Sequence, residues 1–331
     1  MMKVLILFYF FMLVSTQCPD RCRCPSQYVA SCRSLAINYI PHDRFDRYVE
    51  FLDVSDNVLR ALAKTELRDI GVISLIEFNA SKNYIAEIDR EAFLGQSKLK
   101  IVDLSFNNIG EIEPETFQRN PYLELLILSN NPIILVPEFI RSTSLIQLHL
   151  SECNLYTIPE DTFKALTSLQ KLYINKNKIS SYDNIISYNN LRFIDLSNNK
   201  INYIYISTIS MNLTNNIIKF LNITTLQKII NNNASIDFSN NPWYCDCAMK
   251  TTYIWTKNNS IDLDIICTNG LKWELYNYYC NDTTIIDDID VNLTENVAIT
   301  TDGNMDLTKN AAVIDVPIIT ILILSFLLNN I

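Results

Sequence analysis

The residues of this 331-residue chain best suited to chemistry are nine cysteines and two histidines, and spacing sorts the thiols into three groups. Cys18, Cys22, Cys24 and Cys32 form one cluster, and Cys245, Cys247, Cys267 and Cys280 form a second. Thiols so spaced either hold zinc as thiolates or pair as disulfides. Cys153 stands alone, with His149 four residues before it. That pair would suit a thiolate nucleophile and its general base if the side chains met. His42 is the other histidine, so a multi-histidine metal site is out of reach. Only five glycines occur, no two close enough to build a phosphate loop, which disfavours Rossmann and P-loop enzymes. A net charge of −9 repels nucleic-acid phosphate. Neither a cofactor, nor a metal, nor a small-molecule substrate is expected.

The chain ends decide between zinc and disulfides. Lys3 precedes an apolar run from Val4 to Val14, followed by Ser15, Thr16 and Gln17. Eleven apolar residues are too few to span a bilayer and suit a signal peptide over residues 1–17. Secretion places the cysteines in an oxidising compartment, where disulfides are expected. Residues 313–331 form a hydrophobic tail with no basic residue after Leu328. Small or polar residues around Asp302 or Asn310 suit lipid attachment, so a GPI signal is expected there. A short membrane segment and a free secreted terminus are the alternatives.

Between the clusters the chain repeats. Apolar residues spaced L-x-x-L-x-L-x-x-N-x-L recur, as at Leu99, Val102, Leu104, Asn107 and Ile109. The polar position of this frame falls at Asn57, Asn83, Asn107, Asn131, Cys153, Asn177 and Asn199, separated by 26, 24, 24, 22, 24 and 22 residues. A partial copy, Ile236, Phe238, Asn241 and Trp243, has its polar position at Asn241, and a degenerate one at Asn216 lies only 17 residues beyond Asn199. The spacing resembles that of the extracellular leucine-rich repeat family, and the resemblance implies that each copy is one short strand and a return segment that cannot bury its apolar side alone, so that the copies stack. Phe93, Phe117, Phe139 and Phe163 recur in the return segments and are expected in the core. In this frame Cys153 points inward and His149 outward, so they are not expected to form a catalytic pair. Asp53, Asp103, Asp195 and Asp237 read as solvated repeat positions rather than paired acids.

These motifs resemble the extracellular leucine-rich repeat family over about residues 18–280. The C-x3-C-x-C-x7-C spacing resembles its N-terminal cap, and Pro242-Trp243-Tyr244-Cys245-Asp246-Cys247 resembles the opening of its C-terminal cap. The resemblance implies an α/β leucine-rich repeat solenoid, curved, with parallel β-strands on the concave face and an irregular or short-helical convex side. It implies a cap over 18–48, about eight or nine repeats over 49–240 and a second cap over 241–280. It also implies bridges Cys18–Cys24, Cys22–Cys32, Cys245–Cys267 and Cys247–Cys280, a pairing that the spacing alone leaves open. Residues 281–312 are acidic and rich in Thr and Asn, and read as a stalk.

Seven glycosylation sequons occur, at Asn79, Asn212, Asn222, Asn233, Asn258, Asn281 and Asn292, a number ordinary for this composition. Asn79 falls on a strand, so its glycan would stand on the concave face. Solenoids bind through the outward residues of their strands. Here Ile101, Leu125 and Ile127 are expected side by side, with Phe106 near them and His149 and Tyr173 further along. Such a patch reads as a partner site. The expected function is therefore a non-enzymatic binding module of the extracellular cell surface, GPI-anchored or secreted, mediating adhesion or recognition. A receptor or co-receptor for a secreted or microbial ligand, and a secreted matrix or carrier protein, are the alternatives.

Overall fold

The computed structural model describes residues 18–272 apart from 43–44, 184, 186–189, 206–209, 232–234, 260–264 and 271. The expected signal peptide, stalk and tail lie outside the described residues, as do Cys280, Asn233, Asn281, Asn292, Asp302 and Asn310. The described part is a solenoid of stacked parallel strands. Its first strands are β1 (Arg23–Ser26), β2 (Val29–Ser31), β3 (Phe51–Asp53) and β4 (Ala61–Leu62), followed by the short helix α1 (Glu66–Asp69). Next come β5 (Glu77–Asn79), β6 (Glu87–Ile88), β7 (Ile101–Asp103), β8 (Leu125–Ile127), β9 (Gln147–His149) and β10 (Lys171–Tyr173). The last elements are β11 (Phe193–Asp195), β12 (Ser210–Asn212), α2 (Ile223–Asn231), β13 (Ile236–Asp237) and α3 (Lys250–Asn258). Eleven strands form one sheet in the order β1-β2-β3-β5-β7-β8-β9-β10-β11-β12-β13, while β4 and β6 pair separately. Only the β1–β2 pair is antiparallel among these described pairings.

Three-residue strands hold their register because one side chain in each is apolar and inward. Leu52, Phe78, Val102, Leu126, Leu148, Leu172, Ile194 and Met211 are all buried and pair like with like across the sheet. A slip of one residue would turn that whole row to solvent. Strands β3, β5 and β7 to β13 each lead into a turn with one left-handed residue: Asp56, Lys82, Phe106, Asn130, Glu152, Lys176, Asn198, Asn215 and Asn240 have φ between +54° and +59°. For a residue with a Cβ this conformation costs roughly 1–2 kcal/mol. The residue that follows in each turn offsets the cost.

That residue is the repeated asparagine. Asn107 Nδ2 donates to the Ala80 carbonyl of the preceding repeat at 3.0 Å and to Leu104 at 3.0 Å, while its Oδ1 accepts the Ile85 N–H at 2.9 Å. Asn83, Asn131, Asn177, Asn199, Asn216 and Asn241 repeat the bond to the preceding carbonyl. A buried amide thus satisfies backbone groups that the tight turn leaves out of the sheet. The degenerate repeat is a complete rung by this measure: β12 pairs in register with β11 and β13, and Asn216 Oδ1 accepts the Ile201 N–H at 2.9 Å.

Cys153 occupies the same position without an amide. Its sulfur lies 3.4 Å from the Leu128 and Ser151 carbonyls, and the Ile133 N–H turns to Asn131 O at 2.9 Å instead of to a side chain. Replacing Cys153 with Asn restores the missing donor and acceptor. The Cys153→Asn protein is expected to be secreted as well as the natural chain and to melt no lower in a thermal unfolding experiment. A fall of several degrees would mean that the thiol packs in a way the amide cannot.

The return segments pack on Phe93, Phe117, Phe139 and Phe163, all buried, with the rings of Phe93 and Phe117 stacked at 4.9 Å. A second polar ladder runs beside them. Gln96 Nε2 donates to Val72 O at 2.6 Å, Asn120 Nδ2 to Phe93 O at 3.1 Å, and Ser144 Oγ to Leu123 O at 2.9 Å.

Both ends of the solenoid are covered. Cys18 is bonded to Cys24 and Cys22 to Cys32, and the buried Cys32 offers its carbonyl to Asn57 Nδ2 at 2.8 Å. At the other end Cys245 is bonded to Cys267, and the buried Trp243 packs edge-on against Phe238 at 5.5 Å. Cys247 is disulfide-bonded as well. Covering the last apolar rung is what lets a stack of repeats end in water.

Candidate functional site

The strands present two outward columns to solvent, one from the first residue of each strand and one from the third. The third-residue column reads Asp53, Asn79, Asp103, Ile127, His149, Tyr173, Asp195, Asn212 and Asp237 along the sheet. Six of these nine share one role. Asp53, Asn79, Asp103, Asp195, Asn212 and Asp237 each accept, on Oδ1, the N–H of the residue two positions on, at 2.9–3.1 Å. The aspartates are therefore turn-forming groups, as their short side chains suit.

Ile127, His149 and Tyr173 break the rule on three consecutive strands. None supplies a carboxylate or amide oxygen for that turn, and after β9 the hydroxyl of the preceding repeat takes its place while a side-chain bond ties on the next repeat. Ser151 N–H donates to Ser129 Oγ at 3.2 Å, and Ser151 Oγ donates to Asn175 Oδ1 at 2.5 Å. Three neighbouring repeats have exchanged a local hydrogen bond, worth about 1 kcal/mol, for large side chains on the open face. The imidazole of His149 stacks on Tyr173 with ring centres 4.3 Å apart, and Tyr173 meets Phe193 at 5.6 Å. Ile101 and Leu125 lie beside Ile127 from the first-residue column. The result is a continuous aliphatic and aromatic strip across β7 to β11.

Two details differ from the sequence-based expectation. Ile101, Leu125, Ile127, His149 and Tyr173 are half-buried rather than freely exposed, because side chains on strands about 4.8 Å apart cover one another. Phe106 lies apart from them. It follows β7 in the left-handed turn at φ +55°, is 50% exposed, and has the Lys82 ammonium 5.9 Å from its ring centre. It lines a different shallow hollow with Tyr84, Asn130, Pro132, Glu152 and Asn154. The left-handed φ swings the side chain away from the strand columns, which counting residues could not reveal.

His149 and Cys153 occupy opposite sides of the strand. Cys153 is buried, and burial raises its thiol pKa to about 11, so it is not a thiolate at neutral pH. Among the described residues His149 Nε2 is buried without a hydrogen-bond partner. Burial holds the imidazole pKa below its ordinary value and outweighs the opposing pull of Asp103, two strands away. The unfolded chain protonates this imidazole at about pH 6.5, whereas the folded chain resists until lower pH. Stability is thus lost as pH falls below about 6.5, since the unfolded state then binds the extra proton. The thermal midpoint of the natural chain is expected to drop further between neutral pH and pH 5.5 than that of His149→Phe. Parallel losses would place the imidazole in water.

Among the described residues no three His, Cys, Asp or Glu side chains are placed to share a metal ion, and no helix is long and apolar enough to cross a membrane. Of the sequons, Asn79 and Asn212 stand in the third-residue column. Asn222 accepts the Thr225 N–H at 2.8 Å just before α2, and Asn258 ends α3.

Residues 73–133 and 143–201 match the family described as leucine rich repeat. The chain is 31% identical to Drosophila melanogaster Chaoptin over 166 residues, 48% of this chain and 12% of that protein. It is 31% identical to human Epiphycan over 38% of each chain, and 25% identical to human Podocan-like protein 1 over 56% of this chain and 46% of the relative. The chain thus spans less than half the length of these relatives. Among solved structures, human trophoblast glycoprotein (5T4) superposes with a TM-score of 0.57 at 24% identity, covering 76% of this chain and 92% of that one. A chain in the octameric complex of Latrophilin 3, Unc5D and FLRT2 superposes with a TM-score of 0.61 at 20% identity, covering 78% and 97%. At these identities the two structures speak to the fold.

Proposed function

Because this chain is an extracellular leucine-rich repeat protein with cysteine-rich caps, we propose that it is a non-enzymatic binding module that holds another extracellular or cell-surface protein against β7 to β11. The observation that carries this reading is the run Ile127, His149 and Tyr173, where three successive repeats give up their turn-forming Asp or Asn for apolar and aromatic side chains. Interface centres are built of such residues, drained of charge and bordered by polar ones. Ile101 and Leu125 complete the strip, while Asp103 and Asp195 border it. Support by likeness comes from the leucine-rich repeat chain that assembles with Latrophilin 3 and Unc5D.

The biological role is adhesion or recognition between a cell and its surroundings. Residues 281–312 serve as an acidic stalk, and 313–331 as the signal for a GPI anchor attached near Asp302 or Asn310. On intact cells expressing the full chain, phosphatidylinositol-specific phospholipase C is expected to move the protein from the surface into the medium. Retention would argue for a membrane segment, and protein already in the medium would make it a secreted binder.

The binding role is tested by screening the full chain, released from cells, against an array of purified multimerised ectodomains. Binding to at least one ectodomain, lost in Ile127→Asp and kept in Phe106→Asp, is the expected pattern. A partner equally sensitive to Phe106→Asp and insensitive to Ile127→Asp would move the site to the turn side of the solenoid.

A further inference from the structure

The third-residue column has a symmetry that the repeat does not require. Outward from the strip it reads Asp103, Asn79, Asp53 on one side and Asp195, Asn212, Asp237 on the other. Each flank carries an asparagine between two aspartates, and each asparagine opens a sequon, Asn79-Ala80-Ser81 or Asn212-Leu213-Thr214. Each spends its Oδ1 on the N–H two residues on, at 2.9 Å and 3.1 Å, which leaves Nδ2, the atom that carries an N-glycan, for modification. Two strand spacings separate Asn79 from Ile127, and two separate Tyr173 from Asn212. At about 4.8 Å per spacing, the six spacings between the sequons cover roughly 29 Å.

We propose that N-glycans on Asn79 and Asn212 stand at the two ends of the strip and set the shape of what reaches it. A standard interface buries about 800 Å² on each partner, roughly a square 28 Å on a side, so a flat globular face would need the whole gap and collide with both sugars. A helix about 10–12 Å across passes between them. The partner therefore presents a single protruding segment, a helix or a hairpin, to the strip. This specification rests on reading the strip as the binding surface, but its test requires no partner.

The full chain, expressed in animal cells, is treated with peptide N-glycosidase F in heavy-oxygen water, and the conversion of Asn79 and Asn212 to labelled Asp is read by mass spectrometry. Both positions are expected to be occupied. Access is then measured on Ile127→Cys with N-ethylmaleimide and with a maleimide-bearing small globular protein. The same reactions on a chain also carrying Ser81→Ala and Thr214→Ala remove the sequons while keeping both asparagines and the N–H groups they bind. The unsubstituted chain reports any reaction at Cys153, and Tyr173→Cys replaces Ile127→Cys if the latter is not secreted. N-ethylmaleimide is expected to react equally in both backgrounds, and the globular probe several-fold faster once the sequons are gone. An unmodified Asn79 or Asn212, or a globular-probe rate that ignores the sequons, overturns the proposal. If both glycan results hold while strip substitutions leave ectodomain binding intact, the functional reading fails and the fenced geometry stands.

Discussion

Asn107→Leu is expected to stop the chain from being secreted as a folded protein. The leucine fills the space but strands the Ile85 N–H, which the amide serves at 2.9 Å in a buried turn, and takes one of two amide donors from each of the Ala80 and Leu104 carbonyls, which Asn83 and Asn131 still serve. The stranded N–H costs about 1–3 kcal/mol and each of the two lost bonds to the carbonyls about 1 kcal/mol, so the loss is about 3 kcal/mol. That is a large share of the 5–15 kcal/mol that typically separates folded from unfolded. It is also cooperative in its consequences, because each rung is the template for the next. Asn107→Cys is expected to be much milder, since the chain already runs one rung on Cys153 by redirecting the Ile133 N–H to Asn131 O. Secreted yield and thermal midpoint of the two variants provide the check. Equal stability of Leu and Cys at position 107 would show that the amide ladder does not hold the repeats together.

The ladder was readable in the sequence because its period survives every change of the intervening residues. The inward positions of Phe93, Phe117 and Cys153, and the outward position of His149, all followed from that frame. What the frame could not carry were features set by backbone direction or by hydrogen bonds of variable spacing. Phe106 belongs to the turn and not to the strip because its φ is +55°, a value no apolar pattern encodes. The second ladder through Gln96, Asn120 and Ser144 changes residue type at each step, so it leaves no motif. The aspartates could be recognised as structural, but their bond to the residue two positions on became visible only in the folded turn. With it came the significance of Ile127, His149 and Tyr173, which is the absence of that bond on three strands in succession.

The second large effect concerns that strip. Ile127→Asp together with Tyr173→Asp is expected to abolish partner binding. Two charges at the desolvated centre of an interface lose about 2 kcal/mol or more each, and 2 kcal/mol is roughly 30-fold in affinity. The fold should not suffer, because Asp is what the repeat uses at this position on β3, β7, β11 and β13, where it accepts the N–H two residues on. An Asp at 127 can make the same bond to the Ser129 N–H. Unchanged secretion with lost binding is the expected pair of results. Lost secretion would mean that Ile127 and Tyr173 belong to the core.

The account stands or falls on where a partner touches the solenoid, and photo-crosslinking reads this directly. A benzophenone side chain placed at Tyr173, on the strip, or at Tyr84, 57% exposed on the turn side, is irradiated with the bound ectodomain present. Crosslinks from position 173 and none from position 84 are predicted. Crosslinks from 84 with none from 173 would contradict binding through the strands.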